Sequence, residues 1–529
     1  MAVTPRENWL GVLAITQVVI VWSAWCGSLR SSEPIDIGSR LELFVDDYLI
    51  ESMAGTELRM QHPTPRGVVW QTTNQRSGKV WGGANRSVCV FQDGGLYRMY
   101  YRDFARVAKP WIAPGATGDA DIVTCYAESR DGIHWTRPEL NLYQTDDLKR
   151  NNIVWAGTGC ANFAVFKDAN PNCDPAARYK AVGRVMFKAG ADPAPPERDQ
   201  TGYDWLPNLG LLAFRSPDGV HWSVMRQDRI IKKGEFDSHN VALWDAVRQR
   251  YISFIRVWMP DGRRIRSIAA LTSDNFLDWS DPPRWLTYTR STSRLQRPAV
   301  SPPPVHLYDN NISIYPRAPH LFIGLPMRMI SGRVRIADNP LAEEMALNDT
   351  GLMTSRDGQQ FRRWRQAFIR PGPLVGRWWN ENCCPAWGFV TTRSQMQGAP
   401  QELSLYCNES YGTDQGNLRR YTLRLDGFVS VHADDEGEMC TRPLRFSGTR
   451  LVINVATSAV GSVRVEIQDR MGQAIEGFKL ADCREIYGDD TQLEVRWETG
   501  RSLAELSGEV IRLRFVVDDA DLYAVQFVD

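Results

Sequence analysis

Net charge is the first thing this sequence does without: 62 lysines and arginines stand against 62 aspartates and glutamates in 529 residues. A balanced chain is not a general nucleic-acid binder, which carries an excess of positive charge, and no nucleic-acid partner is expected. Lysine is scarce, nine of the 62 basic residues, a bias that by itself carries no function. Helical periodicity is nearly absent. Only ADNPLAEEMALN, Ala337 to Asn348, reads as a short helix. No CxxC pair or Cys/His spacing suggests zinc, and no loop has EF-hand spacing. Long apolar runs are missing too, with one exception. Trp9 to Cys26 follows a lone Arg6 and resembles the apolar middle of a signal peptide. No A-x-A site follows it, and uncleaved it is about long enough to span a bilayer. Residues 1–30 are therefore expected to be a signal peptide or a membrane anchor. The protein is expected to be exported, whether periplasmic, extracellular or anchored, and to meet a membrane only through that segment.

Nine cysteines follow Cys26. Export permits disulfides, with Cys160–Cys173 and Cys89–Cys125 as candidates; buried free thiols are the alternative. Adjacent Cys383 and Cys384 are not expected to pair with each other.

What the chain has is a recurring phrase. SRDGIHW at Ser129 to Trp135 returns as SPDGVHW at Ser216 to Trp222. Looser copies are SDNFLDW at Ser273 and SRDGQQF at Ser355, with a degenerate RLDG at Arg424. Each follows a strand-like run: DIVTCYAE, LGLLAF, SIAALT, TGLMT and RYTLRL. Asp-Gly there signals a turn, because Gly accepts positive φ and Asp bonds its own backbone. The aromatic that follows can pack back over the turn. The motif thus reads as a structural corner, and His134 and His221 inside it are poor catalytic candidates.

Upstream of each corner lies a hairpin, from RSVCVF/LYRMYYR in the first unit to AWGFV/ELSLYC in the fifth. Five units of three or four antiparallel strands are what a β-propeller requires. The early run LELFVDDYLI, Leu41 to Ile50, is expected to pair with the last blade and close the ring, leaving no sheet edge. From about Ser430 the pattern becomes alternating strands with Gly-rich turns, which suggests a β-sandwich. The expected fold is all-β: a five-bladed β-propeller over 40–429 followed by a C-terminal β-sandwich over 430–529.

Five blades with corners of the S-x-D-G-x-x-W kind, two of them full matches and three looser, followed by a sandwich, resemble the five-bladed propeller glycoside hydrolases: the arabinanases, invertases, levansucrases and relatives of families 43, 32, 62 and 68. LFVDDYLIE, YRMYYR, SRDGIHW, ELSLYCNESY and DLYAVQF also resemble exported propeller proteins of planctomycete-type bacteria. The resemblance covers Leu41 to the C-terminus and is architectural. The invertase-type N-D-P-N-G, R-D-P and E-C-P motifs are not present as such, and a fold does not fix a function.

In a blade the innermost strand starts where the second strand ends, so both points lie on one face around the tunnel. Inner-strand starts carry Asn85-Arg86, Asn162, Asp237-Ser-His239-Asn240, Asp309-Asn310-Asn311 and Glu381-Asn382. Second-strand ends carry Arg102, Arg184 and Arg256, each five residues after a Tyr, with Arg328 a looser fourth and Asn408-Glu409 in the fifth blade. Converging arginines hold carboxylate or sulfate through paired N–H groups; ion pairs between blades are the alternative. Trp378 and Trp379 are candidates to stack on sugar rings.

Glycosidic cleavage needs two carboxyl groups flanking the bond. The resemblance and this placement together predict Glu381 as general acid and Asp237 as base or nucleophile, with Glu409 and Asp103 in reserve. Arg86, Arg102, Arg184, His239, Asn240, Arg256, Trp378 and Trp379 are the expected substrate-binding set. The expected partner is a carbohydrate, an anionic one included. No cofactor or metal is required, although the aspartates leave room for a structural calcium in the tunnel. Two other functions share the same surface: a carbohydrate-binding propeller without catalysis, and a cell-surface scaffold for protein partners.

Overall fold

The computed structural model describes residues 33–71, 87–118, 121–146, 149–188, 208–261, 263–290, 305–333, 346–379, 381–411 and 416–529. The N-terminal segment expected to direct export lies outside them. Among the described residues the only helical turns are 3-10 turns of three or four residues, and no helix is long and apolar enough to cross a membrane.

Five small antiparallel sheets form the propeller. Blade 1 runs outward through Cys89–Asp93, Leu96–Phe104, Ile122–Ser129 and Ile153–Ala156. Blade 2 comprises Gly159–Lys167, Tyr179–Met186, Leu209–Ser216 and Ser223–Val224. Blade 3 comprises Val241–Asp245, Arg250–Trp258, Arg266–Ser273 and Arg284–Trp285. Blade 4 contains Ile312–Tyr315, Ala318–Gly324, Met353–Ser355 and Gln360–Arg363, and Thr287–Arg290 adds a parallel strand at its outer edge. Blade 5 is built from Val390–Thr392, Glu402–Glu409 and Asn417–Arg424.

The corners explain why one phrase recurs. In the first, Ser129 Oγ accepts from Gly132 N at 2.9 Å, and Asp131 Oδ1 accepts from the Ile133 and His134 backbone at 2.8 Å each. Ser216 and Asp218 repeat this in blade 2. The neighbouring blade then locks each corner. Tyr406 of blade 5 donates to Gly132 O at 2.6 Å, and Tyr100 of blade 1 donates to Gly219 O at 2.9 Å. Both glycines have positive φ, and a Cβ at Gly219 would lie 2.6 Å from the Tyr100 hydroxyl. Serine, aspartate, glycine and the neighbour's tyrosine are thus one joint between blades. At net values near 1 kcal/mol per hydrogen bond, each joint contributes a few kcal/mol to ring order.

The ring closes differently from the sequence expectation. Thr64–Gln71, not Leu41–Ile50, supplies the outermost strand of blade 5, antiparallel to Asn417–Arg424. Only Trp70 of that strand is buried, so it lacks the alternation that marks a strand from sequence. Leu41–Ile50 belongs elsewhere: Glu42–Leu43 pairs with Val510–Val528, and Ile50 begins a strand against Gly437–Thr441. Phe44 packs edge-on to Phe515 at 6.3 Å.

The second unit is therefore built from both ends of the chain. Ile35–Gly38, Glu42–Leu43, Ile50–Ala54 and Glu57–Met60 join six strands from Val429 onward in one ten-stranded sheet. Its spine is the pair Arg450–Gln468 and Val510–Val528. Val463, Val465 and Ile467 point inward opposite Phe515 and its neighbours, while Arg464 and Arg514 point out, the period of two that a half-buried sheet needs. Register shifts at Asn454/Val455 and Thr457/Ser462 bend the pair round a core separate from the propeller's.

Two smaller expectations also change. Ala346 to Asn348, read as the end of a helix, instead opens the strand Ala346–Thr350, which pairs with Met327–Ser331; the rest of that reading lies outside the described residues. All nine cysteines after Cys26 are free thiols, seven of them buried, so neither expected disulfide forms.

Candidate functional site at the propeller mouth

Inner-strand starts and second-strand ends share one end of the ring, as the antiparallel hairpins require. A hydrogen-bonded chain crosses that end. His239 N donates to Asp309 Oδ1 at 2.9 Å, and Cys384 Sγ donates to Asp309 Oδ2 at 3.1 Å. Cys384 N donates to Asn408 Oδ1 at 2.7 Å, and Asn408 Nδ2 donates to Glu381 O at 2.9 Å. Asp309, 1% exposed, therefore ties the loop carrying Asp237 to the loop carrying Glu381. Sequence reading names Asp309 only as part of an inner-strand start; its position directly before Asn310-Asn311 was the available signal.

Asp237 keeps 62% of its side chain exposed, with Arg184 Nη1 at 2.9 Å from Oδ1. Arg256 Nη1 donates to the Asp237 carbonyl at 2.5 Å and fixes the loop from below. Glu381 sits on a strained backbone: its φ is +63°, and that of Cys383 is +55°. Non-glycine residues persist there only when the surroundings over-determine them, commonly at functional sites. Here Asn348 Oδ1 accepts from Glu381 N at 2.7 Å and Thr350 donates to Cys383 O at 2.7 Å.

Several other predicted residues do structural work. Asn240 is fully buried: it accepts from Arg256 N at 2.9 Å and donates to the Phe236 and Ser238 carbonyls. His239 lies inside the tunnel, edge-on to Trp387 at 6.1 Å, with Nδ1 3.4 Å from Asn311 Oδ1 and Nε2 3.5 Å from Cys89 Sγ. Glu409, 1% exposed, is held by Arg419 at 2.7 Å and Arg377 at 3.5 Å, and accepts from the Tyr421 hydroxyl at 3.3 Å. Such a carboxylate serves the fold and is not placed to meet substrate. Trp378 and Trp379 donate their ring N–H groups to Gly372 O at 2.7 Å and Tyr411 O at 2.9 Å, so neither N–H is left for a sugar hydroxyl. Arg102 donates to the Tyr411 hydroxyl at 3.2 Å. Arg328 is a two-pronged partner of Asp349, at 2.6 and 2.7 Å. Arg86 lies outside the described residues.

Asp103 occupies a different place. It lines a pocket of about 200 Å³ at the strand ends of blade 1, beside Arg137, Glu139, Arg150, Asn151 and Asn152. Burial pushes its carboxyl up to about 6, against the Phe104 N–H and the Arg137 charge. Arg137 stacks on Trp70 at 4.2 Å and donates to Gln71 O, so the pocket sits at the seam with the ring-closing strand. It does not include Asp237 or Glu381. Among the described residues no three His, Cys, Asp or Glu side chains are grouped to hold a metal ion.

No family model matches the chain, and no curated protein does. Solved structures similar to it include an N-acetylgalactosamine deacetylase from F. plautii in complex with blood group B trisaccharide (12% identity, 69% of this chain and 94% of that chain, TM-score 0.39). Others are an endo-arabinase from Bacteroides thetaiotaomicron VPI-5482 (10%, 65% and 96%, 0.34) and a GH32 beta-fructofuranosidase of Bombyx mori (11%, 89% and 94%, 0.35). At these scores the likeness decides nothing about chemistry, which rests on this chain's own side chains.

Proposed function

We propose that this protein is an exported, glycoside-hydrolase-like propeller that cleaves a glycosidic bond at the tunnel mouth, with residues 1–30 directing export. The observation that carries the reading is the mouth itself: a largely exposed Asp237 oriented by Arg184, and a conformationally strained Glu381, linked through buried Asp309. Glu381 donates its carboxyl proton to the departing glycosidic oxygen. Asp237 either takes a proton from the attacking water or attacks the anomeric carbon; the carboxyl separation in the substrate complex selects between them. Arg184 keeps the Asp237 carboxylate aimed while charge develops on the sugar ring.

The test is release of reducing ends from a panel of plant and algal polysaccharides. Asp237→Asn and Glu381→Gln should each lower the rate at least about a hundredfold, the usual scale for a positioned acid or base, with binding retained. Full activity in either variant removes that residue from the mechanism. A second reading, carbohydrate binding without cleavage, is favoured by the ion pair in which Arg184 already engages the Asp237 carboxylate. Binding with no reducing ends from any glycan selects it.

A further inference from the structure

At the end of the ring opposite the mouth, the first turn of blade 2 gathers a cluster of titratable side chains. Lys180 lies at the start of the second strand, Tyr179–Met186, whose other end carries Arg184 at the mouth. Residues 170–177 fold over that start, with Cys173 N donating to Asn170 O at 3.0 Å and Ala176 N to Asp174 Oδ1 at 2.9 Å. The turn thereby sets Cys173 Sγ 3.2 Å from the Nζ of Lys180. Lys180 is 4% exposed, a rare setting for an ammonium group. It donates to the buried carboxylate of Asp168 and to Ala177 O at 3.1 Å. Two rings of blade 3 stand beside it, Tyr251 at 5.5 Å and Phe276 at 5.8 Å. Tyr251 also donates its hydroxyl to Asp168 Oδ2 at 2.7 Å, and Asn170 N donates to Asp168 Oδ1 at 2.9 Å. Thiol, amine and carboxylate thus touch in series at the seam between blades 2 and 3. Cys173 itself is half-buried; of the nine described thiols only Cys440 shares that exposure, and the other seven are buried.

A small oxidant from solvent can therefore reach Cys173, while the Lys180 nitrogen stands at contact distance behind it. We propose that Cys173 and Lys180 are a modification site, at which hydrogen peroxide converts the pair to a covalent sulfenamide bridge. The chemistry has two steps. Cys173 attacks one peroxide oxygen and the O–O bond breaks. Sulfur is oxidised by two electrons to a sulfenic acid, and the other peroxide oxygen leaves as water. Asp168 then takes a proton from the Lys180 ammonium, and the freed amine attacks the sulfenic sulfur. The S–N bond forms as the S–O bond breaks, and the departing hydroxide leaves as water with a second proton from the nitrogen. Asp168 becomes a neutral carboxyl as Lys180 loses its charge, so the step orphans no buried charge. Sulfenic acids condense in the same manner with a backbone nitrogen; here the fold supplies a side-chain amine already in place, which acts as a high effective concentration. Cys440 is the counter-example. Its Sγ meets Thr441 O at 3.7 Å and Gln468 Oε1 at 3.6 Å. The charged groups acting on it are Arg514, Glu466 and Glu438, none of them an amine, and a guanidinium stays protonated. The bridge lies away from the mouth and does not depend on the cleavage reading.

The experiment treats the full chain with hydrogen peroxide at about pH 8.5, near the ordinary thiol pKa. Burial raises the Cys173 thiol against the pull of Lys180, which slows its oxidation at neutral pH. Treatment continues until Cys440 is fully oxidised to sulfinic or sulfonic acid. Remaining thiols are then blocked, the chain is digested with trypsin and the peptides are weighed. Peptide 168–178, which carries Cys173, should appear linked to peptide 179–184, with cleavage after Lys180 blocked and the mass two hydrogens below the sum of the two. Sulfinic acid at Cys173 should be at least about tenfold scarcer than at Cys440, because condensation removes the sulfenic acid first. Dithiothreitol should restore Cys173 and Lys180 but not Cys440. Lys180→Arg keeps a cation beside Asp168 and lacks the amine; in it Cys173 should oxidise irreversibly, as Cys440 does. The comparison of the two thiols in the wild type stands without that variant if it fails to fold. Normal cleavage after Lys180 with Cys173 as sulfinic acid, an untouched Cys173 thiol once Cys440 is spent, or Cys173 in a disulfide would overturn the bridge.

Discussion

Asp103 offers a quantitative test of the blade 1 pocket. Its carboxyl is raised from the usual 3.8 to about 6, chiefly by burial. Because the folded state holds the proton more tightly than the unfolded chain, the carboxyl lowers stability once it must ionise. The effect is absent below about 3.8, grows as pH rises, and is complete above about 6. A rise from 3.8 to about 6 corresponds to about 3 kcal/mol, a ceiling, since solvent screening lowers the cost of the charge. Asp103→Asn removes the ionisation and keeps an oxygen to accept from Phe104 N, 2.8 Å away in the wild type. The variant should therefore gain stability over wild type at pH 8 and gain almost none at pH 4. For a cooperative unit of several hundred residues, unfolding entropy near 2 cal/mol/K per residue converts the ceiling to a Tm rise of about 3–4 °C. The measurement is the difference in Tm between variant and wild type at the two pH values, so that titration of every other group cancels. A difference that does not change with pH, or that favours wild type at pH 8, refutes the raised carboxyl and with it the buried character of the pocket.

The other expectations concern the frame that holds the site. Glu409→Gln leaves Arg377 and Arg419 without their counter-charge in a buried setting, and should cost about 3–5 kcal/mol, read as a fall in urea midpoint even with no glycan present. Truncation tests the stitching of the two units: a 40–429 fragment keeps Glu42–Leu43, Ile50–Ala54 and Glu57–Met60 but removes their partners in the second unit, except Val429 opposite Met60. It should aggregate on light scattering, whereas 62–429, which retains the ring-closing Thr64–Gln71, should stay monomeric; equal behaviour would show that the N-terminal strands do not depend on the C-terminal ones.

Much of the propeller was legible because its joints are local. Ser129, Asp131 and Gly132 bond within four residues, so the phrase they make survives in the sequence and repeats with the blade. The ring closure was not legible, because it joins Thr64–Gln71 to a strand some 350 residues later and only Trp70 is buried to mark it. The alternating run around Phe44 looked more like a strand than the segment that closes the ring; it is buried, but its side chains divide between two cores, Phe44 in that of the second unit and Leu41, Leu43 and Val45 in one shared with blades 4 and 5. At the mouth, topology alone brought Asp237, Glu381 and the second-strand arginines to one end. It could not say which polar groups would face solvent. Asn240 and Asp237 are three residues apart in one loop, yet one is fully buried and the other largely exposed.

The two units are joined by the same economy of partners that leaves the mouth charged. Asp426, in the degenerate fifth corner, does not repeat the bonds of Asp131. It accepts from Tyr315 at 2.6 Å and Arg317 at 2.9 Å in blade 4, and Asn454 of the second unit donates to it at 3.2 Å. Arg356 of the fourth corner reaches Glu42 at 2.8 Å and Asp46 at 2.9 Å. The last two corners thus lock ring to sandwich as well as blade to blade, since Asp426 stays bonded to blade 4 and Arg248 of blade 3 donates to the Arg356 carbonyl, and their charges are neutralised in doing so. Asp426 is fully buried and Arg356 nearly so. At the mouth, Asp237 and Arg256 remain in reach of solvent or of no carboxylate partner. A chain with no net charge has enough acid to pair its arginines, so a cation left without one at the mouth is a local arrangement of the fold rather than a consequence of composition.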